Sequence, residues 1–154
     1  MKNYMKTIYI SGPITNAATG QPRAGWQKDF LDAEAKLRRM GFNVINPVDI
    51  AREVDDSAMQ SVKTHDRQLP PSRADYILAC LHRMRLNRLY DRLSAVYVIG
   101  DLMDCYRSHG VQMEASLAEV LGVPIYSEYL ADCRCDHNLV ALPGGGTLEE
   151  LTGD

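Results

Sequence analysis

AVYVI (Ala95–Ile99), a short polar loop, and SHGVQME (Ser108–Glu114) opening an apolar segment that ends near Gly122 decide how this chain is read. The apolar run predicts a buried strand and the segment after it a helix. The intervening loop brings a hydroxyl and a glycine to the helix start, with a carboxylate about one turn in. Unpaired amides at a helix start attract phosphate, and Gly110 lets a ligand approach the backbone closely. Helical side chains lean toward the N-terminus, so Glu114 is expected to aim back at the same ligand. The plainer alternative makes Ser108 an ordinary N-cap and Glu114 a surface residue.

Working outward, strands and helices alternate. Lys6–Ser11 reads as a short buried strand ended by Gly12-Pro13, and a turn-rich segment runs from Thr15 to Gly25. Trp26–Met40 carries Phe30, Ala33, Leu37 and Met40 at helical spacing, and Gly41 closes that helix. Phe42–Ile45 is the next strand, stopped at Asn46-Pro47. Val48–Pro71 is polar and resists assignment, beyond Asp49 as the cap of a short helix and a break at Pro70-Pro71. A long helix is predicted from Ser72, its cap, to about Leu93, with Ile77, Leu81 and Met84 on one face. Val123–Tyr126 and His137–Leu142 read as the last strands.

This alternation predicts an α/β fold: a parallel sheet of about five strands with helices on both faces. The domain is expected to span residues 1–142, with 143–154 a flexible tail. In such sheets ligands bind outside the carboxyl ends of the strands. Three loops at that rim carry the unusual residues: Ser11-Gly12-Pro13-Ile14-Thr15, Asn46-Pro47, and the segment with Ser108 and Glu114. Their convergence predicts a pocket.

Composition excludes several classes. With 154 residues and 45% apolar content, one domain can bury a full core. Seventeen basic against twenty acidic residues leave a net charge of −3, with no global pull toward nucleic acid or membrane. No apolar run approaches a membrane span, and Met1–Lys6 lacks the apolar core of a signal peptide, so a cytoplasmic protein is expected. Cys80 and Cys105 read as free buried thiols. Cys133, Cys135 and His137 lie close together but lack the two separated ligand pairs usual in zinc sites, so no metal is expected. Arg83, Arg85, Arg88 and Arg92 read as a solvated stripe on the long helix.

YISGPI (Tyr9–Ile14), the amphipathic helix, GFNVINP (Gly41–Pro47), and Ser108-x-Gly110-x-x-x-Glu114-x-x-x-Ala118 together resemble the nucleoside 2-deoxyribosyltransferase superfamily, in particular its short, often phage-borne branch. The resemblance runs from about Lys6 to Tyr126. It implies a flavodoxin-like three-layer sandwich and chemistry at the N-glycosidic bond of a nucleoside or nucleotide, with no cofactor. Glu114 is then the nucleophile. An oxocarbenium-like transition state makes a neighbouring carboxylate useful for that chemistry. A helix N-terminus is expected to keep Glu114 ionised.

The resemblance also implies that Ser108, where relatives acting on free nucleosides carry Asp, selects a 5′-monophosphate. Tyr9, Gly12, Pro13, Ile14, Asn46 and Gly110 correspond to substrate-binding positions. Two departures stand out. Leu93-Ser94 occupies the start of strand three, where the family usually has an Asp, and the helical active-site Asp has no clear counterpart, which leaves Asp75 as the candidate proton donor. Asn138 corresponds loosely to a residue that relatives lend to a neighbouring subunit, implying a homo-oligomer, dimer or tetramer. Loss of chemistry with retention of the pocket would leave a nucleotide-sequestering protein as the alternative.

Overall fold

β1 (Thr7–Ser11) and β3 (Leu93–Val98) pair in parallel at the centre of the sheet, with β2 (Asn43–Ile45) beside β1 and β4 (Ile125–Ser127) beside β3. The computed structural model describes residues 6–16, 18–65, 70–89 and 93–127. The order β2-β1-β3-β4 is the flavodoxin-like arrangement, a three-layer α/β sandwich. The described residues hold four strands where about five were expected. The remaining candidate, His137–Leu142, and the 143–154 segment lie outside the described residues.

Strand periodicity splits the core in two. Ile8 and Ile10 of β1, with Ala95, Tyr97 and Ile99, face α1 (Trp26–Arg39) and its buried Phe30, Ala33 and Leu37. Tyr9, Val96 and Val98 face the other way, toward α3 (Arg73–Leu89) through Cys80 and Met84. They also meet α5 (His109–Leu121) through Val111, Ala115 and Ala118. Each central strand is therefore covered on both sides, which explains its nearly unbroken apolar sequence. After α1, Gly41 adopts φ 94°, a left-handed conformation that turns the chain straight into β2.

Leu93 corrects the long helix expected from Ser72. α3 ends at Leu89, and Leu93, 2% exposed, opens β3 instead. Thr7 pairs with Leu93 while Ile8 pairs with Ala95, so Ser94 is the extra residue of a bulge. The Thr7 N–H donates to the Ser94 hydroxyl at 3.3 Å. The inserted residue turns Leu93 onto the same face as Val96, where it joins the α3–α5 core. Burial in that core outweighs continuing the helix.

The unassigned polar stretch is largely α2 (Pro47–His65), 19 residues long. Asn46 is its N-cap, with Oδ1 accepting the Val48 N–H at 3.0 Å. Pro47 then takes the first helical position, where its missing N–H is harmless. Ile50 is buried against the core and anchors the helix. A short α4 (Leu102–Arg107) fills the expected loop, capped by Asp101, which accepts the N–H groups of Met103 and Asp104 at 2.8 and 3.4 Å. No helix among the described residues is long and apolar enough to cross a membrane.

Gly12 sits where β1 leaves the sheet, and a Cβ there would lie 2.8 Å from Ile99 Cγ1 and 3.1 Å from Phe30 Cζ. Both neighbours are buried and cannot yield freely. Gly12→Ala should therefore destabilise the fold by about 1–3 kcal/mol through overpacking, read as a lower urea midpoint at unchanged slope.

Candidate functional site

A cavity of about 520 Å³ opens at the carboxyl end of the sheet. It lies where the loops after β1 and β3 diverge, the switch point at which open α/β sheets bind ligands. Its size suits a small organic ligand. Gly12 and Ile14 line it from the β1 loop, Ser108, Gly110 and Glu114 from α5, and Cys80 from α3.

Glu114 lies at the deep end, 7% exposed. Burial pushes its carboxyl up to about 8, and the neighbouring Tyr9 hydroxyl pulls only weakly the other way. Neither that hydroxyl nor Glu114 Oε2 completes a hydrogen bond among the described residues. The expectation that the helix N-terminus keeps Glu114 ionised is thus not met. His109 is the first helical residue, so Glu114 sits beyond the first turn, where the dipole has faded and desolvation dominates. Burial, reinforced by Glu114, also raises the Tyr9 hydroxyl well above its usual range and the Cys80 thiol to about 12. The floor is therefore neutral at pH 7: a phenol, a thiol and a carboxylic acid.

The α5 start is built as both readings of Ser108 anticipate. Ser108 Oγ accepts the Val111 N–H at 3.2 Å, so the residue caps the helix while lining the cavity. With the Gln112 N–H bonded to the Ser108 carbonyl, the amides of His109 and Gly110 remain at the helix head. A Cβ on Gly110 would stand 3.7 Å from Glu114 Oε1 and 3.8 Å from Ser108 Oγ, in the space between the two. Arg73, the first residue of α3, lines the same cavity, and its Nη2 lies 3.4 Å from His109 Nδ1.

The opposite wall comes from α1, α2 and a hairpin. Thr15 bridges Pro22 antiparallel, and Asn16 and Gln21 are joined backbone to backbone at 2.7 Å. Arg23 holds this hairpin down by donating twice to the Pro13 carbonyl, at 3.0 and 2.6 Å. Trp26, set edge-on to Phe30 at 5.6 Å between ring centres, lines the cavity beside it. Pro47, Ala51 and Asp55 recur every four residues and present one stripe of α2. Tyr76 donates to Asp55 Oδ1 at 2.5 Å, joining α3 to α2 at the cavity wall.

Of the sequence candidates, Gly12, Ile14, Ser108, Gly110 and Glu114 line one cavity, and Tyr9 faces Glu114 from beneath. Pro13, Asn46 and Asp75 do not line it. Asn46 donates to Glu34 Oε1 at 2.9 Å and to the Phe30 carbonyl at 3.3 Å, tying α2 to α1. Asp75 accepts from the Ser72 N–H at 2.6 Å and from its hydroxyl at 3.0 Å, closing a capping box at the exposed start of α3. The carboxylate that does line the cavity besides Glu114 is Asp55. It went unread because α2 was not assigned; the four-residue recurrence from Pro47 was the available signal. Arg83 of the basic stripe pairs with Glu53 of α2, and Arg88 Nε donates to the Leu121 carbonyl at 3.2 Å, so both tie helices together. Asn138, Cys133, Cys135 and His137 lie outside the described residues, among which no cluster of three or more His, Cys, Asp or Glu forms a metal site.

No protein-family model, curated protein or solved structure matches the chain.

Glu114 has a measurable consequence. A carboxyl whose folded value is raised from 4.5 to about 8 binds its proton more tightly in the folded state. Stability should thus fall as pH rises through that window and level off above it, by a total on the order of 5 kcal/mol. Glu114→Gln, neutral throughout, should flatten this slope and be more stable than the wild type at pH 9. Urea denaturation of both proteins from pH 5 to 9 reads it directly.

Proposed function

We propose that the cavity binds a (deoxy)nucleoside 5′-monophosphate and that Glu114 attacks its anomeric carbon, cleaving the N-glycosidic bond by hydrolysis or base transfer. The observation that carries this reading is a buried carboxyl with a free oxygen, facing a cavity whose rim holds a helix N-terminus and an arginine. The phosphate meets the α5 amides, the Ser108 hydroxyl and Arg73, and the sugar rests over Tyr9 and Glu114. Attack forms a carboxylate–C1′ ester as the C1′–N bond breaks. The electron pair goes to the base, which takes its proton from solvent. Water, or a second base, then resolves the ester. The resemblance of the SGPI and Ser108–Glu114 motifs to nucleoside 2-deoxyribosyltransferases supports the same assignment.

The protonation of Glu114 sets the pH dependence. At pH 7 about one free molecule in ten carries the carboxylate, so kcat/KM should climb roughly tenfold per pH unit up to about pH 8 and then level. That same protonation favours a second reading, a non-catalytic nucleotide-binding protein whose neutral floor holds a sugar without attacking it. Incubation with the four deoxynucleoside monophosphates and chromatography of free base separates the two. Base release that Glu114→Gln abolishes supports the enzyme, whereas calorimetric binding without release selects the binder. Ser108→Asp keeps the cap but repels phosphate, and should weaken monophosphate binding more than tenfold in either case.

The proposal includes a homo-oligomer, dimer or tetramer. Leu78 and Met113 are 59% and 44% exposed, and a shallow groove between α3 and α5, floored by Ile77 and Leu81, runs beside them. Apolar surface of this kind suits a subunit contact. Light scattering at micromolar concentration should give at least twice the 17.2 kDa chain mass, and a monomer would remove this part of the proposal.

A further inference from the structure

The cavity has two chemically distinct ends, and only one of them is occupied by the reading above. α3 lies between α2 and α5 and touches both. On its α5 side are Arg73, Ser108 and the helix head, all suited to an anion. On its α2 side are Trp26, the Pro47–Ala51 stripe and, at its end, Asp55 with Tyr76. Cys80 neighbours Glu114, and Tyr76 sits four residues away along α3, about 6 Å. A ligand anchored by its anionic end at α5, with its reacting carbon at Glu114, thus extends its far end along the α2 stripe.

The lining of that far end suits a flat ring. Trp26, Pro47 and Ala51 offer apolar surface without hydrogen-bonding side chains, apart from the indole N–H. Asp55 ends the slot with an acceptor. Tyr76 donates to Oδ1 and is itself held neutral, its hydroxyl pushed up to about 12 chiefly by that bond, so its proton stays on the phenol. Among the described residues Asp55 Oδ2 makes no hydrogen bond, and a carboxylate oxygen is an acceptor.

Resting on the nucleotide reading, we propose that Asp55, oriented by Tyr76, selects the base: a ring whose edge offers two adjacent N–H donors, as guanine does through N1–H and N2–H₂. Two parallel N–H···O bonds to one carboxylate are the strong, directional arrangement. Adenine and cytosine offer an amino group beside a bare ring nitrogen, whose lone pair opposes the carboxylate. Thymine and uracil offer a single N–H between two carbonyls, both repelled by it. The order of preference is guanine first, adenine and cytosine next, thymine and uracil last. Asp55 is here a specificity residue, and Tyr76 a positioning residue that acts through it.

The test measures calorimetric affinities of dGMP, dAMP, dCMP and dTMP in the Glu114→Gln background, where chemistry is halted, beside relative kcat/KM values in the wild type. dGMP should bind at least tenfold more tightly than dTMP. Asp55→Asn, which replaces one acceptor oxygen with an amide donor, should cost dGMP about tenfold and narrow the gap to dTMP. Tyr76→Phe should weaken dGMP less and leave dTMP nearly unchanged, a selective effect that general loss of structure cannot produce. Equal affinity for all four nucleotides, or a ranking that Asp55→Asn leaves intact, overturns the base assignment while the nucleotide reading stands. Failure of all four to bind overturns both.

Discussion

β1 and β3 run side by side in the middle of the sheet, and each must bury both of its faces. That requirement places α1 on one side and α3 with α5 on the other, because no single layer can cover a central parallel strand. It also places a tyrosine where water cannot reach it: Tyr9 points into the α3–α5 layer because Ile8 and Ile10 point the other way. The strands stay paired to their carboxyl ends, and the loops beyond them diverge to opposite faces, α1 following β1 and α4 and α5 following β3. The cavity is the gap this divergence leaves. Glu114 closes its deep end, held down by Val111 and Ala115 on the buried side of α5.

The chemistry of the cavity follows from depth. At the floor, removal of water keeps Tyr9, Cys80 and Glu114 in their neutral forms, since each would carry charge only after losing a proton into a poorly solvated space. At the mouth, Arg73 lies near α5 and Asp55 on α2, both exposed to solvent. A ligand entering this gradient is oriented before it reaches Glu114. Two unpartnered buried oxygens, on Tyr9 and Glu114, are costly in the empty protein. Such a cost is expected where a ligand's hydroxyl groups complete the network.

What the sequence made legible, and what it hid, divides along the same physical line. Strands read well where burial alone decided them: Thr7–Ser11 and Ala95–Val98 are apolar because both faces are covered. The α5 start was equally plain, since Ser108 and Gly110 stand at the opening of a periodic apolar segment and Gly122 at its close. α2 was obscure because it buries only a narrow stripe, so Ile50 is surrounded by charges and the polar majority masks the helical recurrence. The Asn46-Pro47 pair ends a strand and starts a helix at once, and only the first meaning was read. Leu93 was ambiguous because a single inserted residue, Ser94, breaks the alternation that marks a strand. Asn138 and the segment around it remain an expectation from the sequence alone.

Asp75 and Asp55 show why a carboxylate cannot be assigned a role from its place along the chain. Both lie on helices that border the cavity. Asp75 sits three residues after Ser72, and that spacing brings its Oδ2 to both Ser72 donors at the exposed head of α3. Asp55 sits eight residues after Pro47, on the stripe of α2 that borders the cavity, and meets Tyr76 across the interface with α3. The first spacing ties the carboxylate to a helix terminus, outside the cavity lining. The second delivers a charge to the edge of a cavity and leaves an oxygen free, which is the condition for reading a ligand. The distinction rests on helix phase: along α2 and α3 alike, the residues that face the cavity repeat at three or four, and Asp75 falls between Arg73 and Tyr76 on the wrong side of that repeat.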